Sequence, residues 1–141
     1  MEKILCATRG GEASYKTQDK AIDLALEKGV EILFFFVVDV EFLGKTERAV
    51  RLEVVTKEMD HMAEFILMMA IEKARKRGVR SGLLIRHGDF REELIEVAKD
   101  PEVVGVVLGK PAGEESLFSL EGLEKMAKEI EEETNTKTYV L

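Results

Sequence analysis

The 141-residue sequence has a single cysteine, so no internal disulfide can form. That cysteine, Cys6, sits in the apolar run Ile4-Leu5-Cys6-Ala7, where it packs as a small hydrophobe and points to a reducing compartment. No apolar stretch reaches membrane-spanning length, and at the N-terminus Glu2 and Lys3 precede only a short apolar run, which is not a signal-peptide pattern. The expectation is a cytoplasmic protein with no membrane partner. Side-chain amides are scarce: Gln18 and Asn135 are the only two, against abundant Glu and Lys, a thermophile-like composition. Basic side chains are also in deficit, 21 against 28 acidic ones, and the net charge of -7 repels nucleic-acid phosphate over the whole surface. Nucleic acid is therefore excluded as a partner. A small anion is not, because backbone N–H groups and helix N-termini act locally.

Catalytic constellations are missing as well. His61 falls on a helix and His87 in a turn before Gly88-Asp89, each reading as structural or surface histidine. There is no metal-ligand spacing, no Ser-His-Asp or Cys-His arrangement and no paired carboxylate, so no catalytic residue and no metal is assigned. Glu129 to Glu133 reads as a solvated helix face.

What the sequence does have is 45% hydrophobic residues, enough for one well-filled core, so residues 1–141 read as one domain. Short apolar runs alternate with segments of helical period. Lys3 to Thr8 reads as a strand, Tyr15 to Lys28 as a helix with Ile22, Ala25 and Leu26 inward, and Gly29 as its stop. Glu31 to Val38 (EILFFFVV) is nearly all apolar, as in a strand covered on both faces of a parallel sheet. Thr46 to Arg77 reads as a long amphipathic helix with Leu52, Val55, Met59, Met62, Ile66 and Met69 along its inward face, ended by Gly78. Its methionines read as core or interface filler. Val79 to Arg86 follows as a strand, then Asp89 as N-cap with Glu92 three residues on, and a helix from Phe90 to Lys99. Val103 to Leu108 (VVGVVL) is a fourth strand, Leu120 to Glu133 a helix with Leu123, Met126, Ala127 and Ile130 inward, and Lys137 to Leu141 (KTYVL) a fifth strand. This alternation predicts an α/β fold with one open doubly wound parallel sheet, which binds ligands at the carboxyl ends of its strands where strand order reverses.

Three stretches carry a family resemblance. ILCATRGGEAS followed by LALEKG and EILFFFVV, RHGDFREELIEVAKD, and VVGVVLGKPAG together resemble the universal stress protein family in an order that covers the whole chain. The resemblance implies a five-stranded sheet of order 3-2-1-4-5, adenine nucleotide alpha hydrolase-like, usually as a dimer. It also implies ATP binding where the family's glycine motif is intact: Gly, two residues, Gly, nine residues, Gly, then Ser or Thr, surrounding the phosphates. Here Gly109 and Gly122 keep the outer spacing, but Ala112 holds the middle position with Gly113 one step later, and Leu123 replaces the hydroxyl residue. Arg9 stands where the family has an acidic residue facing the nucleoside. Glu114 and Glu115 add negative charge to the loop, and Lys110 and Arg9 add positive charge at the same crevice.

By that resemblance the nucleotide-binding candidates are Ala7, Thr8 and Arg9 after the first strand, Val38 and Asp39 after the second, and Gly109, Lys110, Gly113 and Gly122 after the fourth. Each has a plain alternative: glycines that only turn the chain, a solvated arginine, a capping threonine. No cofactor is required, with ATP or AMP and Mg standing as weak ligands. The terminal strand, with Lys137, Tyr139 and Leu141, reads as an edge that pairs with a second copy. Three functions remain open: a dimeric stress-response regulator with a degenerate ATP loop, little or no turnover and a protein partner; an ATP- or AMP-binding switch; and a nucleotide-processing enzyme on the same architecture. The last finds only one acid, Asp39, at the strand ends.

Overall fold

Each apolar run becomes a strand in the structure, a computed structural model that describes residues 1–8, 12–39, 52–109 and 120–141. The strands are β1 (Lys3–Ala7), β2 (Glu31–Val38), β3 (Ser81–His87), β4 (Val103–Leu108) and β5 (Thr138–Val140). Every pairing is parallel, and the order is β3-β2-β1-β4-β5, as the resemblance implied. The helices are α1 (Glu12–Lys28), α2 (Leu52–Lys76), α3 (Phe90–Ala98) and α4 (Leu120–Thr134).

Strand alternation divides the core in two. Ile4 and Cys6 of β1 and Ile32, Phe34, Phe36 and Val38 of β2 face α1 and α2. Leu5, Ala7 and Phe35 face α3 and α4, where Leu94, Leu123 and Ile130 are buried. With helices on both faces, an unbroken apolar strand such as β2 is stable, because neither face meets water.

Helix ends follow the expected chemistry. Gly29 and Gly78 close α1 and α2 at φ 67° and 78°, a conformation that costs glycine little. At the second of these ends Val79 donates its N–H to Ala74 at 2.9 Å. That capping bond keeps Val79 with the helix, so β3 begins at Ser81 rather than at Val79 as expected. Asp89 caps α3, its carboxylate accepting from the Glu92 N–H at 3.0 Å.

Two helix faces differ from expectation. Leu26 on α1 is exposed, and the buried line there runs through Thr17, Gln18, Ala21, Ile22 and Ala25. On α2 the fully buried line is Ala63, Leu67, Ala70 and Ala74, while Met62 and Met69 turn outward. Alanine lets the helix sit close to the sheet, whereas a count of large apolar residues alone selects the methionines. Residues 46–51 of the expected helix lie outside the described residues. Lys73 to Asp19 at 2.9 Å and Arg77 to Asp23 at 2.6 Å tie α2 to α1. Arg91 of α3 joins Glu129 of α4 and reaches Glu133 at 3.7 Å. Among the described residues no helix is long and apolar enough to cross a membrane.

Candidate functional site

Strand order reverses between β1 and β4, which places the crevice of this sheet at their carboxyl ends. Pairing of Cys6 with Val107 carries Thr8 and Gly109 to the same level, immediately past the two strands. β2 reaches higher on the other side of β1: Val38 stands three residues beyond Phe35, the partner of Ala7.

The candidates meet different surroundings. Ala7 is buried and its side chain joins the core beneath α3 and α4. Val38 is buried on the opposite face, under α1 and α2. Asp39 follows it, half-buried at the end of β2. Thr8 is only 2% exposed; its N–H donates to the Phe35 carbonyl at 2.7 Å, and among the described residues its Oγ1 has no hydrogen-bonding partner. The Cys6 thiol approaches it from two residues back, a sulfur contact too weak to satisfy a hydroxyl.

Gly109 is buried, and its reason for being glycine lies in α1. A β-carbon built there would come within 2.7 Å of Thr17 Oγ1 and 3.4 Å of its Cβ and Cγ2. Thr17 is itself buried, and its hydroxyl donates to the Leu141 carbonyl at 3.4 Å. Leu141 donates its N–H back to the Leu108 carbonyl at 2.8 Å, extending β5 along β4. The beginning of α1, the end of β4 and the end of β5 therefore converge under the crevice. Gln18, next to Thr17, is 1% exposed, and its Nε2 finds no partner among the described residues. Sequence reading passed over Thr17 and Gln18; their signal was Gln18 leading the inward series Gln18, Ala21, Ile22, Ala25.

Gly122 is exposed in the first turn of α4, and Leu123 beside it is turned into the core at 1% exposure. The side chain at the family's hydroxyl position thus serves packing. Glu121 in the same turn places a negative charge at the helix start, opposing an anion there. Arg9, Lys110 and Gly113 lie outside the described residues, as do Ala112, Glu114 and Glu115. β5 is shorter than the expected Lys137 to Leu141: Tyr139 lies in it, Lys137 just before it and Leu141 just after, with the Lys137 ammonium 5.0 Å from the Tyr139 ring centroid.

Burial pushes the Cys6 thiol up to about 12, opposed by Thr8 and by the charge of Lys73, so it holds no thiolate at neutral pH. His87 Nε2 and Asp60 Oδ1 are 2.6 Å apart, away from the β1–β4 crevice at the β3 edge. Among the described residues no three His, Cys, Asp or Glu side chains cluster as metal ligands.

A parallel sheet of this order, doubly wound, with its switch point between β1 and β4, defines an α/β domain of the adenine nucleotide alpha hydrolase-like class. Within that class the chain belongs to the universal stress protein family, whose model matches residues 1–133. No curated protein matches it in sequence. Among solved structures, a universal stress protein family member from Burkholderia pseudomallei is 16% identical, with a TM-score of 0.76 over 99% of this chain and 95% of that one. The universal stress protein of Archaeoglobus fulgidus in complex with dAMP is 12% identical, with a TM-score of 0.63 over 99% and 96%. A family protein from Arabidopsis thaliana with AMP bound is 16% identical, with a TM-score of 0.60 over 99% and 91%. At these identities the likeness is one of fold.

Proposed function

We propose that this protein is a dimeric regulatory binding protein of the universal stress type, with a phosphate cradle too incomplete for tight ATP binding and with no catalytic turnover. The observation that carries this reading is Leu123. Its side chain occupies the place of the hydroxyl residue and is committed to the α3/α4 core at 1% exposure, leaving no side-chain donor there for a phosphate chain. Glu121 adds an opposing charge in the same turn. Cys6, with its raised pKa, offers no nucleophile.

Dimerisation through β5 is supported by its position at the sheet edge, where Tyr139, Val140 and Leu141 are half-buried and one row of backbone groups is unpaired by any strand among the described residues. A second reading, binding of an adenine mononucleotide, is favoured by the relatives solved with AMP and dAMP, ligands that ask for only one phosphate contact.

The test is thermal unfolding of nucleotide-stripped protein with millimolar Mg-ATP, ADP or AMP. A ligand at about a hundredfold its dissociation constant stabilises by about 2.7 kcal/mol, a shift of several degrees. The expected result is no shift with ATP beyond that with AMP. A larger shift with ATP than with AMP overturns the incomplete cradle.

A further inference from the structure

The outward face of α2 is apolar where a surface helix is ordinarily polar. Phe65 is 65% exposed, Met62 46% and Met69 44%, and these three share one stripe along the helix. Glu58 and Lys76 lie on the same stripe, about five turns apart at 3.6 residues per turn, with Met62, Phe65 and Met69 between them and Glu72, paired with Arg75, at its border. Neighbouring cations are already engaged within the chain: Lys73 with Asp19, and Arg75 with Glu72 at 2.6 Å. Glu58 and Lys76 are exposed, and neither is in an ion pair among the described residues, although the charge of Lys76 also reaches Glu72 one turn earlier. An acidic residue near a helix start and a basic one near its end also suit the helix dipole, but that effect fades after the first turn, and Glu58 lies beyond it.

A stripe that is acidic at one end, apolar in the middle and basic at the other is complementary to itself when reversed. We infer that this face of α2 is a self-association surface, on which a second copy packs its own α2 antiparallel about a two-fold axis level with Leu67. In that arrangement Phe65 of each copy meets Met69 of the other, an aromatic-sulfur contact, and Glu58 meets Lys76 at both ends. A parallel arrangement sets like charges together and is disfavoured, so the charges fix orientation while the apolar stripe supplies affinity. α2 covers β2 and β3, and β5 is the far edge of the sheet, so the two surfaces are separate. An acidic chain with alternating charges around this stripe does not suit an anionic lipid surface, which attracts polybasic segments.

The experiment is equilibrium sedimentation of the full chain with three variants. Phe65→Glu, an exposed helix former replacing an exposed residue, is expected to fold with an unchanged circular-dichroism spectrum and to lose one association step, halving the mass of the assembled species. Glu58→Lys is expected to weaken that step about three- to tenfold. Glu58→Lys combined with Lys76→Glu restores it, because each reversed end meets a reversed partner. A mass that Phe65→Glu leaves unchanged, or a double reversal no tighter than Glu58→Lys alone, overturns the inference. Pairing through β5 is read separately, since Phe65→Glu leaves that edge intact.

Discussion

Substituting Gly109 by alanine separates two roles that a glycine at the end of β4 can play. The new β-carbon comes within 2.7 Å of Thr17 Oγ1, closer than side chains tolerate, and Thr17 is β-branched, buried and hydrogen-bonded to Leu141. Either α1 or the end of β4 must shift, and overpacking of this kind costs about 1–3 kcal/mol. Alanine also restricts the unfolded chain, which returns about 0.4–1 kcal/mol. The net expectation is a loss of about 1–2 kcal/mol, roughly 3–8 °C in Tm for a domain of this size. Thr17→Ala removes Oγ1 and Cγ2 and leaves only the 3.4 Å contact to Cβ. In that background Gly109→Ala becomes nearly neutral, so the double-mutant cycle, measured by urea unfolding, shows a coupling of about 1 kcal/mol or more. Additive effects, or a Gly109→Ala variant as stable as the parent, refute the packing account. The cycle also clarifies ligand tests: a double variant that regains stability yet binds no AMP identifies the Gly109 backbone as a ligand contact.

Two further outcomes follow from the described contacts. The folded-state pKa of Cys6 is raised to about 12, so its contribution to stability is complete below the unfolded thiol's value near 9 and is lost as pH climbs toward 12. Alkaline unfolding of the parent is therefore steeper than that of Cys6→Ala above pH 9, and iodoacetamide labels Cys6 at pH 8 only in denaturant; rapid labelling of the folded chain contradicts its burial. Asp89→Ala removes the bond to the Glu92 N–H at the start of α3 and is expected to lower stability by about 1 kcal/mol, with Asp89→Asn keeping most of it; an unchanged Tm in the alanine variant removes the cap from the account.

The inner strands were the most legible part of the chain because each is an apolar run that a doubly covered sheet accommodates. β2 and β4 begin and end where their apolar runs do. Helix faces were less legible where alanine competes with larger residues. On α2 the sequence count favoured Met62 and Met69, but the sheet takes the small residues Ala63, Ala70 and Ala74, leaving the methionines outside. Thr8, Val38, Asp39 and Gly109, candidates by the family resemblance, stand at or just past the carboxyl ends of β1, β2 and β4, positions legible because the end of an apolar run also marks the end of a strand. Thr17 and Gln18 were missed because polar residues on a helix are ordinarily assigned to solvent; the inward series that Gln18 leads was the one local signal, and Thr17 is placed by its contact with Gly109.

Leu141 belongs at once to the outer border of the sheet and to the floor of the crevice: its N–H is held by Leu108, and its carbonyl by Thr17, which rests against Gly109. One residue therefore lies between that border and the candidate crevice. Thermodynamic linkage then makes the relation mutual: if occupancy of the crevice favours one position of Leu141, strand pairing at the border is altered by the same factor that pairing alters occupancy. Were β5 to pair with a second copy and the crevice to hold a ligand, Leu141 would be the joint between the two.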